Sequence, residues 1–415
     1  MTRRWMTYGL LLLLTAFPAG AQTLRKPLPA CEFAHFERNR IVLSSPDAYD
    51  RVFAKLDSVL YLGQGRLRIL HIGGSHVQAG VFTGRLRADL LSLRPALDGG
   101  RGLVFPFSAA RTNNPASFVT TRTGEWTADK NTARESAHRL GLTGMAISTT
   151  DTKASVTLTA LAREPRPGDP TFRFDRVRVL GAARGDVRPV VVLHPGDSLE
   201  GRPTADGAGW DFRLPALCDS VRIARSGRGE WTLTGVLLDN PFPGISVTGI
   251  GVNGASLASY AKCADLERDL AAVAPDLVIF AIGVNDAVPA SFSAEAFTAS
   301  YKALLARVRM ACPDCAFLFV SNNDTFRYAR RKGYSVNANG EKAEQAFLTL
   351  GKEPGAGVWD LFDIMGGAGS MKRWEEAGLA KKDKIHFTDA GYELLGDLLF
   401  NALTDLYVEH LKTVR

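Results

Sequence analysis

The 415-residue sequence predicts an α/β fold: a three-layer, flavodoxin-like parallel sheet of five strands covered by helices on both faces, interrupted by an inserted all-β sandwich. Three observations carry this prediction. Short apolar runs rich in branched residues alternate with stretches of helical periodicity toward both ends of the chain. Between about 103 and 243 that rhythm gives way to short alternating runs broken by Gly, Pro, Thr and Asn. After Pro243-Gly244 it returns.

The chain begins with a basic stretch, Met1 to Trp5, followed by an apolar run from Leu10 to Phe17 and the small-residue triplet Ala19-Gly20-Ala21. This pattern predicts a secretory signal peptide, residues 1–21, cleaved after Ala21, and hence a periplasmic or extracellular protein. The apolar run is too short to span a bilayer and no later segment approaches that length, so integral membrane association is not expected. Residues 22–45 read as an extended lead-in and Asp47 to Leu62 as a helix. Leu67 to Ile72 follows as a strand, and His76 to about Arg94 as a second helix. The middle of the chain reads as strands at Ala154–Ala160, Thr171–Leu180, Val190–Leu193, Asp211–Leu214, Asp219–Ala224 and Trp231–Leu237, with no amphipathic helix between them. The expected organisation is therefore one α/β domain from 22–102 and 244–415, holding a jelly-roll-like β-sandwich at 103–243. Such small sandwiches often hold carbohydrate, but scaffold and lid roles are equally open. In the second half, strands are predicted at Ile245–Val252, Leu277–Ile282, Ala316–Ser321 and Gly357–Phe362. Helices are predicted at Leu257–Val273, Phe292–Met310, Gly340–Leu350 and Asp389–Val414.

Fifty Lys and Arg face 43 Asp and Glu, a formal charge of +7; removing residues 1–21 takes away Arg3, Arg4 and no acid, leaving +5. The excess is mild and no tract concentrates it, so nucleic acid is not indicated as a partner. A solvated surface or attraction to an anionic envelope polymer both fit. The five cysteines, Cys31, Cys218, Cys263, Cys312 and Cys315, are odd in number and too few for a disulfide scaffold. Cys312-Pro-Asp-Cys315 has the spacing of redox and zinc sites, yet no second pair or nearby histidine completes a metal set. It reads as a loop after a helix, open to a disulfide, and no metal site is expected.

The stretch Leu67 to Gly80 reads as strand, tight turn, helix. Gly73 and Gly74 supply backbone freedom, and Ser75 is left at the carboxyl end of the strand beside the first turn of the helix. Unpaired amides there favour negative charge. That seat suits a nucleophile whose attack creates an oxyanion; a phosphate loop or a plain turn would also fit, although the usual dinucleotide and phosphate-loop patterns are absent. Asp383-Lys384-Ile385-His386 precedes the last helix. A histidine three residues after an aspartate can direct one ring nitrogen to that carboxylate and the other into a cleft. Ser75, His386 and Asp383 would then be nucleophile, base and orienting acid; the spacing alone also fits an Asp-His pair capping a helix. Gly283-Val284-Asn285-Asp286 directly follows an apolar strand, so the Asn285 amide could donate to a developing oxyanion, with ordinary turn chemistry as the alternative. Within Gly249 to Ser256, a glycine would let a backbone amide approach the same oxygen; Gly254 is the first choice and Gly251 the second. All four features fall at carboxyl ends of predicted strands or in the loop after the last one, where open α/β sheets bind ligands.

Together, Gly-x-Ser near the amino end, the glycine block, G-x-N-D and D-x-x-H resemble the four blocks of the SGNH hydrolases, the GDSL-type esterases and acylhydrolases. The resemblance spans about 35–102 and 244–415. It points toward the bacterial envelope members that act on O-acetyl groups of peptidoglycan or other glycans, some of which also carry a β-sandwich module. It implies the SGNH fold, Ser75 as nucleophile, His386 as base, Asp383 as its partner, and an oxyanion hole from the Ser75 amide, Gly254 and Asn285. The implied activity is a secreted serine esterase that removes a small acyl group, acetyl foremost, from a glycan through an acyl-enzyme, without metal or organic cofactor. A glycan O-acetyltransferase with the same triad and a glycan-binding protein with an inactive core are the alternatives. Gly74 departs from the pattern, standing where the family has an aspartate that braces the nucleophile loop. A literal Gly196-Asp197-Ser198 is rejected, because Leu199 to Pro203 cannot begin a helix and the segment lies in the β-rich insert. His76 is expected to pack on the first helical turn, and His35, His71, His138, His194 and His410 have no evident partners. Arg111 to Pro115 opens the insert, and Asn113 and Asn114 are candidate substrate contacts or simply part of a turn.

Overall fold

Six strands form the central sheet of the computed structural model, which describes residues 24–162, 164, 170–194, 196–331 and 333–413. They are β1 (Ile41–Leu43), β2 (Arg66–Gly73), β3 (Gly244–Gly251), β4 (Leu277–Ala281), β5 (Ala316–Val320) and β6 (Ala356–Trp359), in the order β1-β6-β5-β4-β2-β3. Strands β2 to β6 are parallel and keep the predicted flavodoxin-like order. The sixth, β1, is a correction: it lies in the stretch read as an extended lead-in and pairs antiparallel with β6, Ile41 opposite Trp359. Three residues are too few to show a period in the sequence. The expected signal peptide lies outside the described residues.

Alternation along the parallel strands buries both faces. Ile69, Val247, Ile279 and Leu318 pack with Phe82, Leu86, Leu395 and Leu399 on one side. Leu70, Val278, Phe280, Phe317 and Phe319 pack with Tyr301, Leu305 and Phe347 on the other. A sheet covered twice needs apolar residues at every position, which is why its strands read as continuous hydrophobic runs. The last helix, Asp389–Thr413, crosses Val81–Leu91 and is tied to it by Arg85 and Asp397 at 2.6 Å.

The segment between β2 and β3 forms two antiparallel sheets. One has five strands in the order Asp197–Glu200, Arg188–His194, Ser220–Ser226, Ser155–Thr159 and Val119–Thr123. The other has seven and includes the long central pair Phe174–Gly185 and Gly229–Asp239, with Gly102–Val104 on the latter. Its core is continuous with one face of the parallel sheet. Polar contacts cross the same seam: the Leu142 amide donates to Asp269 at 2.9 Å, and Arg139 to Asp265 at 2.9 Å.

Several helices are shorter than the periodicity predicts. The helix after Ser75 breaks into Ser75–Gln78 and Val81–Leu91 because Gly80 turns at φ +79°, where an added Cβ would meet Pro115 at 2.6 Å. Leu257–Val273 divides into Leu257–Ala261 and Leu266–Val273. Asp50–Asp57 continues as one π-helical turn, Ser58–Leu62. A hairpin, Phe326–Ala329 with Gly333–Val336, and a short helix, Ser370–Glu376, are additional. Cys312 and Cys315 are buried free thiols and form no disulfide. Among the described residues no helix is long and apolar enough to cross a membrane.

Candidate active site

Strand β2 delivers Ser75 to the carboxyl edge of the sheet. The turn it sits on is packed tightly: the Tyr260 hydroxyl donates to Gly73 O at 2.9 Å, and a Cβ on Gly251 would lie 2.4 Å from the Gln78 nitrogen and 2.5 Å from Gly74 O. Gly251, the second-choice glycine, thus has a packing role, letting the end of β3 touch the Ser75 turn. Gly74 itself is under no such demand; the nearest atom to a Cβ there is Asn285 Nδ2, at 3.4 Å.

Ser75 and the Asp383–His386 turn come together although 311 positions separate the serine from the histidine. Ser75 Oγ lies 2.8 Å from His386 Nε2, and His386 Nδ1 lies 2.8 Å from Asp383 Oδ2. Since the carboxylate can only accept, Nδ1 carries the proton and Nε2 presents its lone pair to the serine hydroxyl. The other carboxylate oxygen accepts from the backbone amides of Ile385 and His386, both at 2.9 Å. Burial raises the Asp383 pKa, but these bonds outweigh it, and the carboxyl group titrates below its usual range. This arrangement can take a proton from Ser75 as the hydroxyl attacks an ester carbonyl.

His76 packs beside this turn. Its Nδ1 meets the Tyr392 hydroxyl at 2.8 Å and its ring lies 5.3 Å from that of His386, while Nε2 is inaccessible to solvent. Burial, then the neighbouring His386, lower its pKa to about 3, so this ring beside His386 stays neutral.

On the oxyanion side, Asn285 follows β4 as predicted, but its amide is already engaged: Nδ2 donates to Ala255 O at 2.9 Å. One N–H of that group remains for a second acceptor. Asp286 accepts from the Leu257 amide at 3.1 Å, and burial raises its pKa to about 6. Gly254 stands in the left-handed region, at φ +81°, in the loop that Asn285 braces.

Gln78, which no sequence motif marks, ties two loops to the helix that begins at Ser75. Its Oε1 accepts from the Asn253 amide at 2.7 Å, and its Nε2 donates to Thr112 Oγ1 and Asn113 Oδ1, each at 3.1 Å. Asn253 also donates to Asn113 Oδ1, at 2.9 Å. Asn113 is therefore exposed beside the glycine block, whereas Asn114 is bonded to Thr120 within the insert. One clue to Gln78 lies in the sequence: it follows Ser75 by three residues on the same short helix.

Ser198 lies on an edge strand of the five-stranded sheet, opposite Val192. Four histidines read as partnerless do have partners: His35 meets Asp363 at 3.3 Å, His71 meets Thr83 at 2.9 Å, His138 bridges Asp129 and Glu230, and His410 meets Asp50 at 3.3 Å. Among the described residues no cluster of His, Cys, Asp and Glu could hold a metal ion.

The GDSL-like lipase/acylhydrolase family model matches residues 203–394, which include Gly254, Asn285, Asp383 and His386 but not Ser75. No curated protein matches the chain by sequence. Among solved structures, "Peptidoglycan O-acetylesterase in action, 5 min" is similar at 25% identity and a TM-score of 0.72, over 89% of this chain and 99% of that one. An acetyl xylan esterase, AlAXEase, is similar at 18% identity and a TM-score of 0.31, over 39% of this chain and 81% of that one. The lipase/acylhydrolase from Enterococcus faecalis is similar at 17% identity and a TM-score of 0.30, over 39% and 77%. Residues 203–394 match the GDSL-like lipase/acylhydrolase family, and the likeness to the first structure runs over nearly its whole length; together they make the chain an ester hydrolase with the SGNH fold.

Proposed function

We propose that this is an exported serine esterase of the cell envelope that removes O-acetyl groups from a glycan, peptidoglycan foremost. The observation that carries the reading is the unbroken chain from Ser75 Oγ through the His386 ring to Asp383, with both links at 2.8 Å. Support for the substrate comes from the peptidoglycan O-acetylesterase, which is similar over 99% of its length. In the proposed course His386 takes the Ser75 proton as Oγ bonds to the acetyl carbon. His386 then returns that proton to the departing sugar oxygen, leaving acetyl-Ser75. Water, deprotonated by the same ring, breaks the new ester and releases acetate. The Ser75 amide, the Gly254 amide and the free N–H of Asn285 would hold the oxyanion in both steps. In the same reading, residues 1–21 are a signal peptide, residues 22–102 and 244–415 the hydrolase domain, and 103–243 an inserted β-sandwich.

Gly74 does not argue for an inactive core. The role of the family aspartate, to brace the nucleophile turn, is met here by packing: the end of β3 touches the turn and Tyr260 bonds Gly73. The test is acetate release from a panel of O-acetylated glycans, comparing wild type with Ser75→Ala. Release by wild type alone is the expected result; release persisting in Ser75→Ala would remove the proposed nucleophile.

A further inference from the structure

The hairpin Phe326–Ala329 and Gly333–Val336 takes no part in the chemistry above, yet it is rooted on both sides of the site. The Phe326 amide donates to Lys384 O at 3.0 Å, inside the turn that carries Asp383 and His386. Lys384 Nζ lies 4.8 Å from the centre of the Tyr334 ring and pairs with Glu375. From the hairpin's other side, Arg327 donates to Ala287 O at 3.3 Å, and Asn337 to the same oxygen at 3.1 Å, two residues after Asn285. Both of these loops carry residues of the candidate site, so the hairpin borders it.

Its surface is unusual for a structural element. Tyr328 and Tyr334 face each other across the register with ring centres 5.1 Å apart, and they remain 66% and 43% exposed. Residues 326–336 contain Arg327, Arg330, Arg331 and Lys332 and no acid. A cross-strand tyrosine pair stabilises a hairpin modestly. Like charges crowded at the tip work against that gain, so fold stability does not account for the composition. Rings with two χ angles lose little entropy on contact, and a basic rim raises the local concentration of an anionic polymer.

Resting on the esterase reading, we propose that this hairpin is the binding platform for an acidic glycan chain, whose sugar rings lie against Tyr328 and Tyr334 and whose carboxylates meet Arg330 and Arg331. The sugar's C–H face would cover the exposed ring area, and the arginines would select carboxylate-bearing chains over neutral ones.

The test uses the full chain with Tyr328→Ala/Tyr334→Ala, Tyr328→Phe/Tyr334→Phe and Arg330→Gln/Arg331→Gln. Each is assayed on O-acetylated peptidoglycan, O-acetylated xylan and p-nitrophenyl acetate. The alanine pair should lose at least tenfold more kcat/KM on peptidoglycan than on p-nitrophenyl acetate, mostly through KM, and the phenylalanine pair should recover most of it. The glutamine pair should lose activity on peptidoglycan but not on xylan, with a difference that shrinks as salt rises. Equal losses on all three substrates, or no loss on peptidoglycan, would overturn the proposal. If wild type releases acetate from neither glycan, the esterase reading itself falls and takes the platform with it. If wild type is active and the variants match it, the platform alone falls.

Discussion

Asp383→Asn separates the orienting role of the acid from its structural one. In the wild type Asp383 Oδ1 accepts two backbone amides at 2.9 Å, and Oδ2 accepts His386 Nδ1–H at 2.8 Å. Asparagine keeps a carbonyl oxygen where the amides point, so the turn should hold, and stability should stay within about 1 kcal/mol. Its NH₂ group then faces the ring and donates, which favours the tautomer with a bare Nδ1 and a proton on Nε2. That proton points at Ser75 Oγ, and the ring can no longer accept from the hydroxyl. The same tautomer error in serine proteases costs about 10⁴-fold in kcat, roughly 5.5 kcal/mol, and a loss of that order is expected here. The assay is kcat for p-nitrophenyl acetate alongside a thermal melt. Retention of more than a tenth of wild-type kcat with an unchanged melting point would refute the argument that Asp383 sets the His386 tautomer. The pH dependence adds a check: the Asp383 pKa is depressed in the folded state, so its carboxylate stays charged into acid, and acid loss of activity should not trace to this group until below the usual carboxylate range.

Asn285→Ala should lower kcat about 10²- to 10³-fold, the size of one lost oxyanion donor, while leaving the fold intact; a loss below threefold would remove Asn285 from the oxyanion hole. Gly73→Ala should destabilise by about 1–3 kcal/mol in urea unfolding, because its Cβ would meet Val77 Cγ2 at 2.3 Å and Ala281 O at 2.9 Å. Gly74→Ala, with nothing nearer than 3.4 Å, should not, and equal effects at the two positions would contradict the packing described. His71 is fully buried, and burial, then Arg87, lowers its pKa to about 3. Its contribution is therefore complete above the unfolded-state value of about 6.5 and is lost as pH falls toward 3, at up to roughly 1.4 kcal/mol per pH unit. Urea unfolding of wild type and His71→Phe at pH 7.5 and 5 should show the smaller pH effect in the variant, and parallel losses would refute the assignment.

Much of the site can be read from the linear sequence because strand ends carry it. Ser75, Asn285 and the glycine block each directly follow an apolar run, and in a parallel sheet every such end emerges on one edge. Gly251 and Gly254 show where that reading stops: both lie in the same short block, but only the packing of Gln78 against β3 shows that Gly251 serves a close contact. The linear family match illustrates the same limit, starting at residue 203 and leaving Ser75 behind the β-rich segment. Gln78, Tyr260 and Tyr392 are not legible in the sequence because their polar atoms act on partners that are distant along the chain.

The succession of apolar strands and helices, the strand-turn-helix seat of Ser75 and the pairing of His386 with Asp383 follow from local pattern, since periodicity and three-residue spacing act within one element. The 2.8 Å approach of Ser75 to His386, the engagement of Asn285 by Ala255 and the rooting of the tyrosine hairpin between the loops that hold His386 and Asn285 were decided by tertiary packing. Those contacts join segments tens to hundreds of residues apart, and their geometry is set by how the helices and the β-rich segment cover the sheet, which composition and period do not encode.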